Sequence, residues 1–316
     1  MCASAHAQTC QGAVDMDASV RRAIEDTAKR YFDISARGDV AALKQNSIPA
    51  VSANFAGIEA AVKENQAAFS GAKGAVRPPY LLIAEGAEPL PRAEFLCGVF
   101  GRSGQTKDSA VFVLNALPPG KYGIAIVDVN GDKGSRTLTF VLQQIGADWK
   151  LAGFYARSSE TAGHDAAWFA KRASDFKAKG QNHNAWLYYR EAVALASPVD
   201  FMTTLATDKL YDESQAIQLG DVPGDGNTVD LTAGGKVYHL TDIFPLAIEN
   251  DLDVVVKYQA ADVSNTGRTF QENTALIKAL LTKFPELRQG FVAVVARGVE
   301  PSGRDYGTML SVKDIK

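Results

Sequence analysis

Apolar residues recur at helical spacing through the first part of the chain. Val20, Ile24, Ala28, Tyr31 and Ile34 fall at three- and four-residue steps, with Thr27 and Ser35 beside them and Arg, Lys and Glu opposite. Residues 17–37 are therefore predicted to form an amphipathic helix, stopped by Gly38. A short helix from Asp39 and another over 52–69 follow. From residue 80 the period changes. Val, Ile, Phe and Leu gather in runs at 80–85, 93–101, 109–117, 121–129, 136–145 and 149–157. Between them lie Arg102-Ser103-Gly104, Pro118-Pro119-Gly120, Asn130-Gly131 and Gly146-Ala147-Asp148. That spacing predicts an antiparallel meander with Asn130-Gly131 as one hairpin turn. Helices followed by a meander imply an α+β layer, in which the sheet curls over the helices.

Two families are resembled here. The leading helices and the closing Asp148-Trp149-Lys150-Leu151-Ala152-Gly153-Phe154-Tyr155 resemble the nuclear transport factor 2-like cone over residues 17–157. Leu117-Pro118-Pro119-Gly120-Lys121-Tyr122-Gly123-Ile124 is similar to the start of a strand in transthyretin-like β-sandwich modules. The cone is the preferred reading and the sandwich its alternative. The cone resemblance implies an apolar cavity between sheet and helix. Phe95, Phe100, Phe112, Tyr122 and Phe154 would line it, or would be ordinary core.

Residues 166–198 read as two antiparallel helices. Gly180, Ala185, Tyr189, Ala192 and Val193 in the second half, with Phe169, Ala173 and Phe176 upstream, resemble a single tetratricopeptide repeat. Phe169 stands where that family usually has tryptophan. Ala173, Ala185 and Ala192 let the helices approach, and Phe169, Phe176, Tyr189 and Leu195 fill the seam. One repeat cannot bury its own apolar face, so the pair must lean on a neighbour. The candidates are a helix over 199–212, carrying Phe201, Leu205 and Leu210, and one or both flanking domains. A structural clamp and a peptide-binding groove are the two readings of this hairpin.

Turn-rich Leu219-Gly220-Asp221-Val222-Pro223-Gly224-Asp225-Gly226-Asn227 marks a boundary. Beyond it, 229–231 and 236–240 flank Ala233-Gly234-Gly235 as a hairpin, and 252–260, 291–297 and 306–312 read as strands. Residues 269–284 read as a helix, with Thr269 and Glu272 as a capping box and Phe270, Ile277, Leu280, Leu281 and Phe284 as its apolar stripe. The expected domains are therefore 15–157, 164–215 and 228–316, the last a smaller α+β domain.

Composition narrows the class more than the chemistry. Of 316 residues, 46% are hydrophobic and 22% charged, values that supply a real core. A net charge of −3 with scattered Lys and Arg gives no electrostatic footprint for nucleic acid. No apolar run approaches the ~20 residues of a membrane span. Ala5-His6-Ala7 has the small-x-small form of a signal-peptidase site, so residues 1–7 are expected to be the remnant of an export signal, which predicts a periplasmic or secreted protein. Cys10 and Cys97 would remain. They could bridge outside the cytosol, but Cys97, within Phe95-Leu96-Cys97-Gly98-Val99-Phe100, reads first as a buried small residue.

Motif searches assign no catalytic residue, no metal ligand, no ligand-binding residue and no cofactor. Phosphate-binding glycine loops, dinucleotide fingerprints and paired zinc histidines are missing from the sequence. Gly101-Arg102-Ser103-Gly104 lacks the spacing of a nucleophile elbow, and Ser70-Gly71-Ala72-Lys73 and Ser174-Asp175-Phe176-Lys177 fit Ser-x-x-Lys without its companions. Asp128-Val129-Asn130-Gly131-Asp132 resembles the opening of a calcium loop. Lys133 and Thr139 stand where such a loop needs glycine and glutamate, so the hairpin turn is preferred. Position suggests capping for His164, exposure for His183 and packing for His239. The expected function is a non-catalytic extracytoplasmic binding protein that meets a peptide or protein through the helical hairpin. The alternative is a small-molecule binder or enzyme with its site in the cone.

Overall fold

The computed structural model describes residues 8–98, 105–224 and 226–315. The Ala5-His6-Ala7 site, Phe100 and the Gly101-Arg102-Ser103-Gly104 turn lie outside them.

Strand β1 (Gln8–Gln11) precedes α1 (Ala18–Ala36), which starts where the Asp17 carboxylate accepts the N–H groups of Ser19 and Val20 at 2.7 and 3.4 Å. Gly38 follows it at φ +68°, a conformation that favours glycine. Asp39 caps α2 (Val40–Gln45). The expected helix over 52–69 is two helices, α3 (Pro49–Ala53) and α4 (Ala56–Phe69), because Asn54 leaves helical geometry and Phe55 turns into the core. Then come β2 (Lys73–Val76), β3 (Tyr80–Ala84), β4 (Leu90–Cys97), β5 (Ala110–Leu117), β6 (Gly120–Gly131), β7 (Gly134–Ile145) and β8 (Asp148–Ser158). Short strands β9 (Glu160–Thr161) and β10 (His164–Asp165) lead into α5 (Ala166–Ala178) and α6 (Asn182–Ala196). After β11 (Met202–Thr204) and α7 (Leu205–Gln215) the chain forms β12 (Val229–Ala233), β13 (Lys236–Ile248), β14 (Asp251–Gln259), α8 (Thr266–Lys283), α9 (Leu287–Gly290), β15 (Ala293–Val299) and β16 (Asp305–Ser311).

The class is α+β: N-terminal helices packed on an antiparallel sheet, a central helical hairpin and a C-terminal α+β part. Contacts divide the chain into two compact units, Met1–Glu160 with Leu195–Lys209, and Thr161–Ala194 with Leu210–Lys316. The hairpin thus shares a unit with the C-terminal sheet, and the chain returns to the first unit between them.

In the first unit the strands are not one meander. β3 pairs directly with β6 in a sheet ordered β1-β3-β6-β7-β8, with β2 also on β6, while β4 and β5 leave to form a second sheet, β11-β5-β4. Both faces of β6 are consequently buried. Ala125, Val127 and Val129 meet Ile24, Tyr31, Phe69, Leu138 and Phe140 on the helix side. Tyr122, Ile124 and Ile126 meet Phe95, Phe112 and Met202 between the sheets. A strand buried on both faces reads as a continuous apolar run, which conceals that it has two partners. Residues 202–204, expected in a helix, instead pair with β5, Met202 opposite Phe112. Burial of Val199 and Met202 in the inter-sheet core, at roughly 1.5–3 kcal/mol for each large side chain, outweighs local helical preference. Arg157 fixes this return by an ion pair with Asp200 at 2.6 Å, and Phe201 packs edge-on to Tyr155.

Cys97 is fully buried, but not as a free thiol. It is disulfide-bonded to Cys10, with Cα atoms 5.0 Å apart across a sequence separation of 87. The bond ties β1 to β4, and hence the first sheet to the second.

In the second unit the sheet is ordered β12-β13-β14-β15-β16, and all neighbours are antiparallel except β14 and β15, which α8 connects as a crossover. Leu276, Ile277, Leu280 and Leu281 of α8 are buried, whereas Phe270, expected in the stripe, is 46% exposed. The capping box is also displaced. Asn265 is the N-cap, accepting Arg268 N–H at 3.0 Å, and Thr269 lies a turn inside the helix with its hydroxyl on the Asn265 carbonyl. Beneath α8 the Tyr258 hydroxyl donates to Asn273, whose amide donates to Thr308.

Candidate functional site

The hairpin is built from its seam outward. Asp165 caps α5 by accepting Trp168 N–H at 2.9 Å, and Gly180 turns the chain at φ +73°. Phe169, Ala173 and Phe176 of α5 and Ala185, Tyr188, Tyr189 and Ala192 of α6 are buried. The Tyr188 ring contacts Phe169, Phe176 and Phe291, and its hydroxyl donates to the Gly290 carbonyl at 2.6 Å. Burial pushes the Tyr188 hydroxyl up to about 12, and burial together with the Glu213 carboxylate does the same for Tyr189. Asn184 donates to the Glu286 carbonyl at 2.6 Å, and a Cβ at Gly290 would lie 2.6 Å from Asn184 Oδ1, so only glycine fits there. The neighbour the pair leans on is thus the segment around α9 in its own unit.

Outward-facing residues fall in two sets. His164 of β10 stacks on Trp168 of α5 at 3.7 Å, and the Arg172 guanidinium of the same helix lies 5.8 Å from the Trp168 ring and 5.0 Å from the buried Phe176 ring. These four residues are spaced at four, and the buried Arg172 Nε has no acceptor. On α6, Arg190 lies 4.7 Å over Trp186 and donates to the Ile243 carbonyl. Nearby, burial raises the Glu191 carboxyl, which accepts from Thr161 at 2.5 Å.

The histidine roles differ from those expected by position. Asp165 rather than His164 is the cap, and His164 is a stacking ring. His183 is enclosed: its side chain is 16% exposed, with Nδ1 2.5 Å from Glu286 Oε1 and Nε2 3.0 Å from Asp221 Oδ1. His239 is not packed but 55% exposed, paired with Asp230 at 2.6 Å. Glu286 and Asp221 lie 103 and 38 residues from His183, so no local signal could have revealed the cluster.

In the first unit, two weak motifs meet. Ser70, Gly71 and Lys73 share a surface groove of about 480 Å³ with Asn130, Gly131, Asp132 and Lys133. Register brings them together, Lys73 pairing with Asn130 across β2 and β6. The hairpin turn lies two residues beyond its expected place: Gly131 pairs with Gly134, and Asp132-Lys133 form the tip. Asp128 is held by Arg77 through contacts of 2.9 and 2.6 Å, so the alternating oxygens do not converge. Ser174 sits beside Tyr189, and Lys177 is exposed at the end of α5. Phe95, Phe112 and Tyr122 lie between the sheets and Phe154 between sheet and helices, so they do not line one cavity. Among the described residues, no three His, Cys, Asp or Glu side chains are arranged to hold a metal ion, and no helix is long and apolar enough to cross a membrane.

Comparison of the chain with protein-family models, curated proteins and solved structures found no match.

Proposed function

We propose that this is an exported, non-catalytic binding protein that takes a peptide or protein segment on the outer face of its helical hairpin. In this reading α5 and α6 are a single tetratricopeptide-like repeat, and the N-terminal helices and sheet a cone of the nuclear transport factor 2-like kind. The observation that carries it is the row formed by His164 of β10 with Trp168 and Arg172 of α5. In this reading the Arg172 guanidinium, 5.8 Å from the Trp168 ring and 5.0 Å from the Phe176 ring, supplies the N–H donors that a carboxylate or carbonyl of the segment accepts from. The seam behind it is packed, so the face is rigid before anything binds. The Cys10–Cys97 bond supports export, because such bonds persist in oxidising compartments.

The test is selection of a displayed peptide library on the intact protein. Selected peptides are expected to lose about tenfold or more in affinity on Arg172→Ala or Trp168→Ala, a loss of roughly 1.4 kcal/mol or more. Peptides that bind all three proteins equally would sink the proposal. A second reading, a small-molecule site in the N-terminal unit, draws on the groove between Lys73 and Lys133 rather than on a cone interior. Ligand protection lost specifically in Lys73→Ala would favour it.

A further inference from the structure

Residues 217–224 run from the end of α7 toward β12 as a strap. Its backbone lies against α6: a Cβ at Gly224 would sit 3.9 Å from the Trp186 ring. Ile217 and Pro223 are buried, whereas Asp221 is 44% exposed and reaches back to His183. The imidazole is thereby placed between two carboxylates from different segments, Asp221 of the strap and Glu286 of the turn between α8 and α9, with the Phe284 ring 4.1 Å away. Among the described residues, Lys283 of α8 also reaches the site, its Nζ 3.4 Å from the Asp221 carbonyl.

Ionised carboxylates only accept hydrogen bonds, so both contacts are satisfied only while the ring carries both N–H groups. In that state two carboxylates, one imidazolium and one ammonium balance. Loss of a ring proton leaves one N–H and one lone pair. The closer and more enclosed partner, Glu286 at 2.5 Å and 19% exposed, keeps the N–H on Nδ1. The lone pair on Nε2 then faces the Asp221 oxygen, and that contact becomes repulsive. We propose that His183 is a proton-operated latch on the strap 217–224: doubly protonated, it holds the strap over Trp186, and on deprotonation it releases Asp221 and uncovers that face of α6.

Quenching of tryptophan fluorescence by acrylamide tests this on the full chain, with Trp186→Phe subtracted to isolate Trp186. Between about pH 6 and about pH 8.5 the Trp186 quenching constant is expected to rise about twofold. Asp221→Ala removes the strap contact from a partly exposed position and is expected to quench at the higher level throughout. Asp221→Asn can donate to a bare Nε2 or accept from a protonated one, and is expected to stay at the lower level throughout. His183→Gln should abolish the pH response. A wild-type constant that does not change with pH, or a pH rise retained in Asp221→Ala and Asp221→Asn, would overturn the latch.

Discussion

The two units solve the same problem with different materials. In the first, a sheet is sandwiched between helices and a second sheet, its two cores are apolar, and a disulfide joins the sheets. In the second, buried polar side chains link separate elements by hydrogen bonds. Tyr258, Asn273 and Thr308 form one chain of hydrogen bonds, Asp253 caps the Ala293 N–H at 2.8 Å, and Asn184 joins α6 to Glu286. Apolar packing tolerates substitution that conserves volume, whereas a buried hydrogen-bond network fails when one member is lost. The first unit should therefore respond to cross-link and volume, and the second to single polar atoms.

Tryptophans separate the units, since Trp149 reports on the first and Trp168 and Trp186 on the second. The largest expected effect is that of Cys10→Ser. Opening a loop of this length costs about 4–5 kcal/mol in the chain-entropy account, read as a lower urea midpoint for Trp149 with the second unit unmoved. A common shift of all three tryptophans would break the comparison. Phe140→Ala comes next, removing a fully buried ring that contacts Tyr31 and Phe154, for about 3–4 kcal/mol in the same transition.

Asn273→Ala should cost about 2–3 kcal/mol in the second unit, because it strands the Tyr258 hydroxyl and Thr308 under α8. If replacing Tyr258 by Phe as well restores nothing, the network is not the cause. The smallest effect is at Asp253. Burial raises its carboxyl, so the folded state binds the proton more tightly than the unfolded state. Stability is then lost as pH rises from the ordinary carboxylate value through the raised one. Asp253→Asn keeps an oxygen for Ala293 N–H and should flatten that slope while changing stability near pH 7 by no more than about 1 kcal/mol. An unchanged slope, measured by urea unfolding across the acid range, would remove Asp253 from the account.

Much of the element order was legible because its causes are local. Asp17, Asp39 and Gly38 mark helix ends by chemistry that acts within a few residues, and α5 and α6 follow from the spacing of Phe169, Ala173, Phe176, Ala185 and Ala192. Errors arose where a distant partner decided. The 202–204 segment is a strand because β5 offers it an edge. The cap at Asn265 rather than Thr269 is a local feature that the capping-box pattern misplaced by one turn. The disulfide was one of two open readings, since sequence contains both cysteines but not their 5.0 Å separation. The polar cluster around His183 had no signal at all, its partners being loop residues with no periodicity.

By itself the order of residues determined the class, the hairpin and the change from helical to strand period, because hydrophobic spacing and caps act over one or two turns of chain. Which strand pairs with which, that one sheet is covered on both faces, and that an imidazole lies between two carboxylates were decided only in three dimensions. Those outcomes depend on burial and charge shared between segments far apart, and one-dimensional pattern does not contain them.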